Sequence, residues 1–239
     1  MQKELLTDWY IPDNHSRQIT ADVLVKDLLN QHQVSVVMDL GCGSGRSVEL
    51  FQSIDRNIRW VGIDIDSSPE VNQRERTDAE FVSFDGVTIP FGDCYFDLIY
   101  CNQVLEHVRY PEALLKEVKR VLKPGGYFVG STSQLEPYHS YSFWNYTPHG
   151  FVSLVKEAEL QTIEIRPSID SLTLIIRRGM GRARLFSQWW EKESPLNKVI
   201  GLIGKLSRKS HKQINLTKLV FAGQFCFIVR NEKGKREFA

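Results

Sequence analysis

The chain alternates short apolar runs with longer segments whose apolar residues recur every three or four positions. The run VSVVMDL (34–40) is too short for a buried helix and stops at a glycine-rich stretch, so it predicts a strand. Ahead of it, SRQITADVLVKDLLNQH (16–32) has helical spacing and predicts a helix capping the sheet edge. Further strands are expected at 58–65, 80–84, 95–102 and 127–133, with a polar helix near 68–76 and a longer one over 111–122. Pro111 opens that longer helix and the KPGG stretch ends it. A loop rich in aromatics and histidines (134–147) follows, then a helix opened by Thr147 and Pro148, then strands near 161–166 and 218–230. Strand and helix alternating in this way predict a doubly wound α/β sheet in a single domain spanning 1–239, without repeats or low-complexity tracts.

Between the last two strands the pattern changes. In SPLNKVIGLIGKLSRKSHK, Leu196, Val199, Ile200, Ile203 and Leu206 fall at helical spacing while Lys198, Lys205, Arg208 and Lys209 occupy other positions. Residues 170–217 are therefore expected to form a basic, amphipathic helical insertion.

The stretch VVMDLGCGSGRSVEL (36–50) carries the first chemistry. Gly41, Gly43 and Gly45 follow Asp39 within six positions, and glycine tolerates positive φ and close ligand approach. A pyrophosphate fingerprint GxGxxG does not fit, because its third glycine position is Arg46 counted from Gly41 and Val48 counted from Gly43. An acid at the strand end also repels phosphate and favours a cationic ligand. S-adenosylmethionine meets that requirement, with an ammonium, a sulfonium and no phosphate. Asp64 then falls at the end of the second strand, about 20 residues past the loop, where a carboxylate accepts ribose hydroxyls.

Composition narrows the setting. With 239 residues, 42% hydrophobic and 25% charged, the chain is long enough for one sizeable core. Cys42, Cys94, Cys101 and Cys226 form no CxxC pair, so neither a disulfide framework nor a metal site is indicated, which suits a reducing cytoplasm. The N-terminal stretch lacks a signal-peptide core, and the run KLVFAGQFCFIV is too short to span a bilayer. The net charge of +1 hides an asymmetry: from Arg177 onward 15 Lys and Arg face 4 Asp and Glu, whereas residues 1–176 hold 15 against 25. The basic end predicts an anionic partner.

Four ordered motifs, VMDLGCGSG, VGIDID, FDGVTIPFGDCYFDLIYCNQVLEHV and VLKPGGYF, resemble the class I S-adenosylmethionine-dependent methyltransferases, specifically the type 11 group, across roughly residues 34–130. The resemblance implies a seven-stranded sheet with an antiparallel last strand. It places Asp39 and the backbone at Gly41 and Gly43 at the methionine part of the cofactor, Asp64 at the ribose, Asp85 and Gly86 at the adenine edge, and Ile65 on the adenine face, with Gly45 also in the cofactor-binding loop. Asn102 matches the position whose backbone lines the methionine pocket. After about residue 167 the chain departs from the family pattern, with some fifty residues between the last strands.

An acceptor hydroxyl needs a base to take its proton. Candidates lie beyond the carboxyl ends of the fourth and fifth strands: His139 in EPYHSYSFWNYTPHGF first, then His107 and Glu106 of LEHV. Tyr138, Tyr141, Phe143, Trp144 and Tyr146 suit a lid or a platform for a ring-shaped acceptor. The segment resembles that of type 11 enzymes associated with glycan assembly, which favours a saccharide hydroxyl; a quinone or other small metabolite, or an inactive cofactor-binding scaffold, are the alternatives. Nucleic acid is disfavoured, because CNQV stands where amino-methylating enzymes carry an NPPY-type tetrapeptide. The basic insertion suits peripheral contact with an anionic membrane.

Overall fold

The computed structural model describes residues 10–137, 141–181 and 184–232. Seven strands form one sheet: β1 (Val36–Leu40), β2 (Arg59–Asp64), β3 (Glu80–Ser83), β4 (Phe96–Asn102), β5 (Leu122–Ser133), β6 (Gln161–Pro167) and β7 (Gln224–Arg230). Their spatial order is β3-β2-β1-β4-β5-β7-β6. The pairs from β3 to β5 are parallel, and β7 runs antiparallel to both β5 and β6. Both faces of the central strands are covered, which explains the nearly continuous apolar runs that betrayed them.

Alternation along the strands sorts the core. Met38, Leu40, Val61, Ile63, Ile99 and Phe128 face one layer, with helices α4 (Pro111–Val121) and α5 (Pro148–Glu157). Val37, Trp60, Leu98, Tyr100 and Val129 face the other, with α1 (Ala21–Leu29) and α2 (Ser47–Ile54). Each fully buried Phe or Leu in these layers contributes about 1.5–3 kcal/mol. In α4 the apolar residues Leu114, Leu115, Val118 and Val121 all point inward, as their spacing predicts.

Several boundaries differ from the sequence-based expectation. The first helix covers 21–29 rather than 16–32, because the Thr20 side chain accepts a bond from the Val23 amide and starts the helix there. Residues before it run extended, with the Ile19 amide donating to the Pro167 carbonyl. The polar helix near 68–76 is a single turn, α3 (Pro69–Asn72), capped by Ser68. KPGG lies inside β5 rather than ahead of it, since β5 starts at Leu122 opposite Phe96 and the register shifts past this point. The expected strand 218–230 begins only at Gln224.

The insertion is helical: α6 (Ser171–Gly179), a 3₁₀ turn (Arg184–Phe186), α7 (Gln188–Glu191), α8 (Pro195–Leu206) and α9 (His211–Val220). Ser210 and Gln213 form a capping box at the start of α9. In α8 the inward residues are Asn197, Gly201 and Gly204. A Cβ on Gly204 would stand 2.6 Å from Ile214 of α9, so glycine permits that close helix contact. The apolar stripe of α8 therefore points outward. Asn197 donates to Gln18 and to the Ser168 carbonyl, and Lys218 of α9 bonds Glu193 and the Ser16 carbonyl, tying the insertion to the extended N-terminal segment.

Candidate active site

Strand order reverses between β1 and β4, the crevice where open α/β sheets take ligands. The loop after β1 and the turn after β4 meet there: a Cβ on Gly41 would stand 2.4 Å from Val104. Gly41, Gly43 and Gly45 all have positive φ, at 74°, 50° and 81°, a conformation that side-chain-bearing residues rarely adopt. The amides of Gly41 and Cys42 both donate to the Ile63 carbonyl, fastening the loop to the end of β2.

Asp64 holds the loop from the other side. Its Oδ2 accepts from the Gly43 amide at 2.7 Å and its Oδ1 from its own neighbour's amide, Ile65, at 2.8 Å. Ile65 is 42% exposed although apolar, and a Cβ on Gly86 would lie 3.6 Å from its Cγ2. Ile65 and Gly86 thus place an exposed apolar surface beyond the ends of β2 and β3. Asp85 accepts from the Val87 and Thr88 amides at 2.8 and 2.6 Å, which hold its carboxyl below the usual range and keep it charged beside that surface.

Asp39, expected at the methionine part of the cofactor, lies beneath the glycine loop. It shares the strand face of Val37, so its carboxylate turns under the loop toward α2, where it is only 5% exposed. The Ser47 hydroxyl donates to Asp39 at 2.5 Å and accepts from the Trp60 indole N–H at 2.8 Å. Burial pushes the Asp39 carboxyl up to about 7, with the nearby Asp64 charge adding to the rise and the Ser47 bond opposing it. A cationic ligand group above the loop would favour its charged form.

Across the crevice, Asn102 ends β4 and accepts from the Ser131 hydroxyl at 2.5 Å. Gln103 follows at φ 58°, its backbone amide bonded to the Ser131 carbonyl at 3.0 Å and its side-chain amide to the Ser131 hydroxyl at 2.9 Å. Glu106 lies on the 3₁₀ turn Leu105–His107 and is fully buried. Its carboxylate accepts from Thr132 and Ser133 at 3.0 and 3.2 Å, and burial pushes it up to about 7. Ser133 also bonds Glu136 at 2.8 Å, and Glu136 accepts from Gln224 at 2.7 Å. His107 sits half-buried on the same turn.

The aromatic segment is anchored over this turn. The Phe143 amide donates to the Glu106 carbonyl at 2.7 Å, the Trp144 indole to the Val108 carbonyl at 2.8 Å, and the Tyr146 hydroxyl to the Leu105 carbonyl at 3.0 Å. Tyr146 is buried, whereas Tyr141, Phe143 and Trp144 remain exposed. Tyr138 and His139, the first candidate base, lie outside the described residues.

Sequence reasoning missed the Ser47–Trp60 support of Asp39, the Val104 contact and the Ser131–Ser133–Glu136 network. STSQ, a polar run at the end of β5 and just past it, was the available signal for the network. Cys42, Cys101 and Cys226 are buried, and burial pushes each thiol well up, so none is a ready nucleophile. A cavity of about 420 Å³ lies away from the crevice, lined by His15, His32, Tyr127 and Arg166; there Arg166 is already satisfied by Glu164 and Asn14.

Residues 38–130 match the family model described as a methyltransferase domain. That match, with the methyltransferase relatives below, supports a class I S-adenosylmethionine-dependent methyltransferase domain of type 11 over this stretch. A demethylmenaquinone methyltransferase of Renibacterium salmoninarum is 33% identical over 107 residues, 44% of this chain and 44% of the relative. A fatty-acid O-methyltransferase of Mycolicibacterium smegmatis is 36% identical over 98 residues, 39% of this chain and 35% of the relative. These matches span less than half the length of either relative. The 1,6-didemethyltoxoflavin-N1-methyltransferase of Burkholderia thailandensis, solved with bound 1,6-didemethyltoxoflavin and S-adenosylhomocysteine, shares the fold at a TM-score of 0.56 and 16% identity, over 89% of this chain and 77% of that one.

Proposed function

We propose that the protein transfers the methyl group of S-adenosylmethionine to a hydroxyl of a saccharide or another small acceptor. The observation that carries this reading is the positive-φ glycine loop at the switch point, fastened by the Asp64 carboxylate and continued by the Ile65–Gly86 surface. These residues fit the cofactor. Asp64 would take the ribose hydroxyls, that surface and Asp85 the adenine, and the loop backbone with the buried Asp39 field the methionine end. When bound, the cofactor supplies a sulfonium methyl group with a neutral thioether leaving group.

The chain itself has to bring the acceptor oxygen in line, exclude water and remove one proton as the oxygen–carbon bond forms and the carbon–sulfur bond breaks. Tyr141, Phe143 and Trp144 supply a platform for a ring at the carboxyl end of the sheet. His139, three residues past Glu136 and two before Tyr141, is the base in this reading, with His107 as the second candidate. Glu106, enclosed by Thr132 and Ser133, acts by positioning the turn beneath the acceptor.

The demethylmenaquinone relative supports a second reading, in which the acceptor is a quinone-type or other small metabolite. Incubation with methyl-labelled cofactor and fractionated cell extract separates the two. Label in a saccharide is expected; label in a quinone would replace the glycan reading. Label in no fraction, with S-adenosylhomocysteine still bound by calorimetry, would leave a cofactor-binding scaffold.

A further inference from the structure

We infer that α6 and α8 of the insertion form a docking surface for an anionic lipid bilayer, lying on it in the plane of the headgroups. On α8, Val199, Leu202, Ile203 and Leu206 are 52, 60, 55 and 76% exposed and share one face. On α6 and its C-cap, Leu172, Ile175, Ile176 and Met180 recur at helical spacing and are 44–55% exposed. Two stripes of large apolar side chains on neighbouring helices exceed the scattered exposure normal for a protein surface.

The polar sides of the same helices decide what covers them. Within 171–220 the chain holds 11 Lys and Arg and only 2 acids, Glu191 and Glu193, of which Glu193 is already bonded to the buried Lys218. Lys198 and Lys205 flank the outward stripe of α8 at helical spacing, and Arg208 and Lys209 extend it past the helix end. Such long side chains lay their stems along apolar surface and lift their charges to the headgroup level. A second copy of this face would bring like charges together, whereas an anionic bilayer accepts both the apolar stripe and the cationic rim. Trp189 and Trp190 of α7 connect the two helices: Lys198 lies 4.7 Å from the Trp189 ring and Arg177 4.7 Å from the Trp190 ring. Half-buried tryptophans of this kind favour the membrane interface.

The surface is also placed where it could serve the crevice. The Gln134 amide at the end of β5 donates to the Gly223 carbonyl at 2.7 Å, and Asp170 pairs with Ala222, so the insertion leaves and rejoins the sheet at the end bearing the glycine loop. Among the described residues no helix is long and apolar enough to cross a membrane, so the contact is peripheral. The inference stands apart from the methyl-transfer reading, and the two fail separately, one in vesicle binding and the other in cofactor calorimetry.

Co-sedimentation of the full chain with phosphatidylglycerol vesicles and with phosphatidylcholine vesicles tests it. Binding to the anionic vesicles is expected to exceed binding to neutral ones by about tenfold or more and to weaken as salt rises. Changing Lys198, Lys205, Arg208 and Lys209 together to Gln should lower it by a similar factor, as should Leu202→Asp with Leu206→Asp, each variant keeping its melting temperature. Equal binding to both vesicle types, or none at low salt, would overturn the inference. So would a dimer in sedimentation velocity that Leu202→Asp dissolves while wild-type protein ignores vesicles, which would give the face to a second copy.

Discussion

Helices α4 and α8 carry similar patterns and solve them in opposite ways. In α4 the apolar residues Leu114, Leu115, Val118 and Val121 go inward and the charged residues go out. In α8 the apolar residues Val199, Leu202 and Ile203 go out, and Asn197, Gly201 and Gly204 go in. Periodicity establishes that a helix has two faces; it does not say which face meets the rest of the protein. The ionisable groups repeat the contrast. Asp39 and Glu106 are buried beside the crevice, whereas Lys198, Lys205, Arg208 and Lys209 of the insertion are exposed.

The largest test of the contrast sets two equivalent substitutions side by side. Leu114→Asp places a carboxylate in the core and should cost several kcal/mol, on the order of 4 or more, leaving little folded protein. Leu202→Asp should shift stability by no more than about 0.5 kcal/mol. Chemical denaturation of both would erase the distinction if they lost stability equally.

Next comes the pH dependence of the buried acids. Asp39 and Glu106 have folded-state values near 7, above their unfolded values, so the folded state holds protons that the unfolded chain releases. Stability is therefore greatest below about pH 4 as far as these groups decide it, and falls as pH rises toward 7. For Asp39 alone the fall is on the order of 4 kcal/mol, and Asp39→Asn should flatten that part of the curve and raise stability at pH 8. Denaturation midpoints measured from pH 4 to pH 8 check it; an unchanged slope in Asp39→Asn would mean that the carboxylate is not buried as described.

If Asp64 takes the ribose as proposed, Asp64→Ala is expected to weaken S-adenosylhomocysteine binding by about 2 to 4 kcal/mol, because it removes those charge-assisted bonds and frees the Gly43 amide. Calorimetry on the folded variant decides it, and unchanged affinity would move the cofactor elsewhere. Smallest is Gly204→Val, which drives a branched side chain into Ile214 and should cost about 1 to 3 kcal/mol. A thermal melt like that of wild type would indicate that α8 packs with another face inward.

Much of the cofactor half was legible because its signals are local. A glycine loop between a short apolar run and a helix, an acid at the next strand end, and Pro111 opening a strongly periodic helix each specify their own conformation. The direction of Asp39 follows from its alternation with Met38 and Leu40, which places it on the face of Val37. What escaped is non-local. Thr20 rather than Ser16 starts the first helix because the preceding residues pair with β6. The inward face of α8 depends on Ile214, Gln18 and Ser168, residues at distances that no window of sequence joins.

The bond from Trp60 through Ser47 to Asp39 has an optical consequence. Trp60 is buried at 7% exposure, while Trp144 is largely open to water and Trp189 and Trp190 are half-open, so its emission lies to the blue of theirs. An indole donating through one hydroxyl to a titrating carboxylate senses the charge of that carboxylate as a shift in its excited state. Among the described tryptophans, Trp60 is the one bonded into the Asp39 pair, so a shift of its emission as Asp39 titrates is the expected readout of that carboxylate without any added dye.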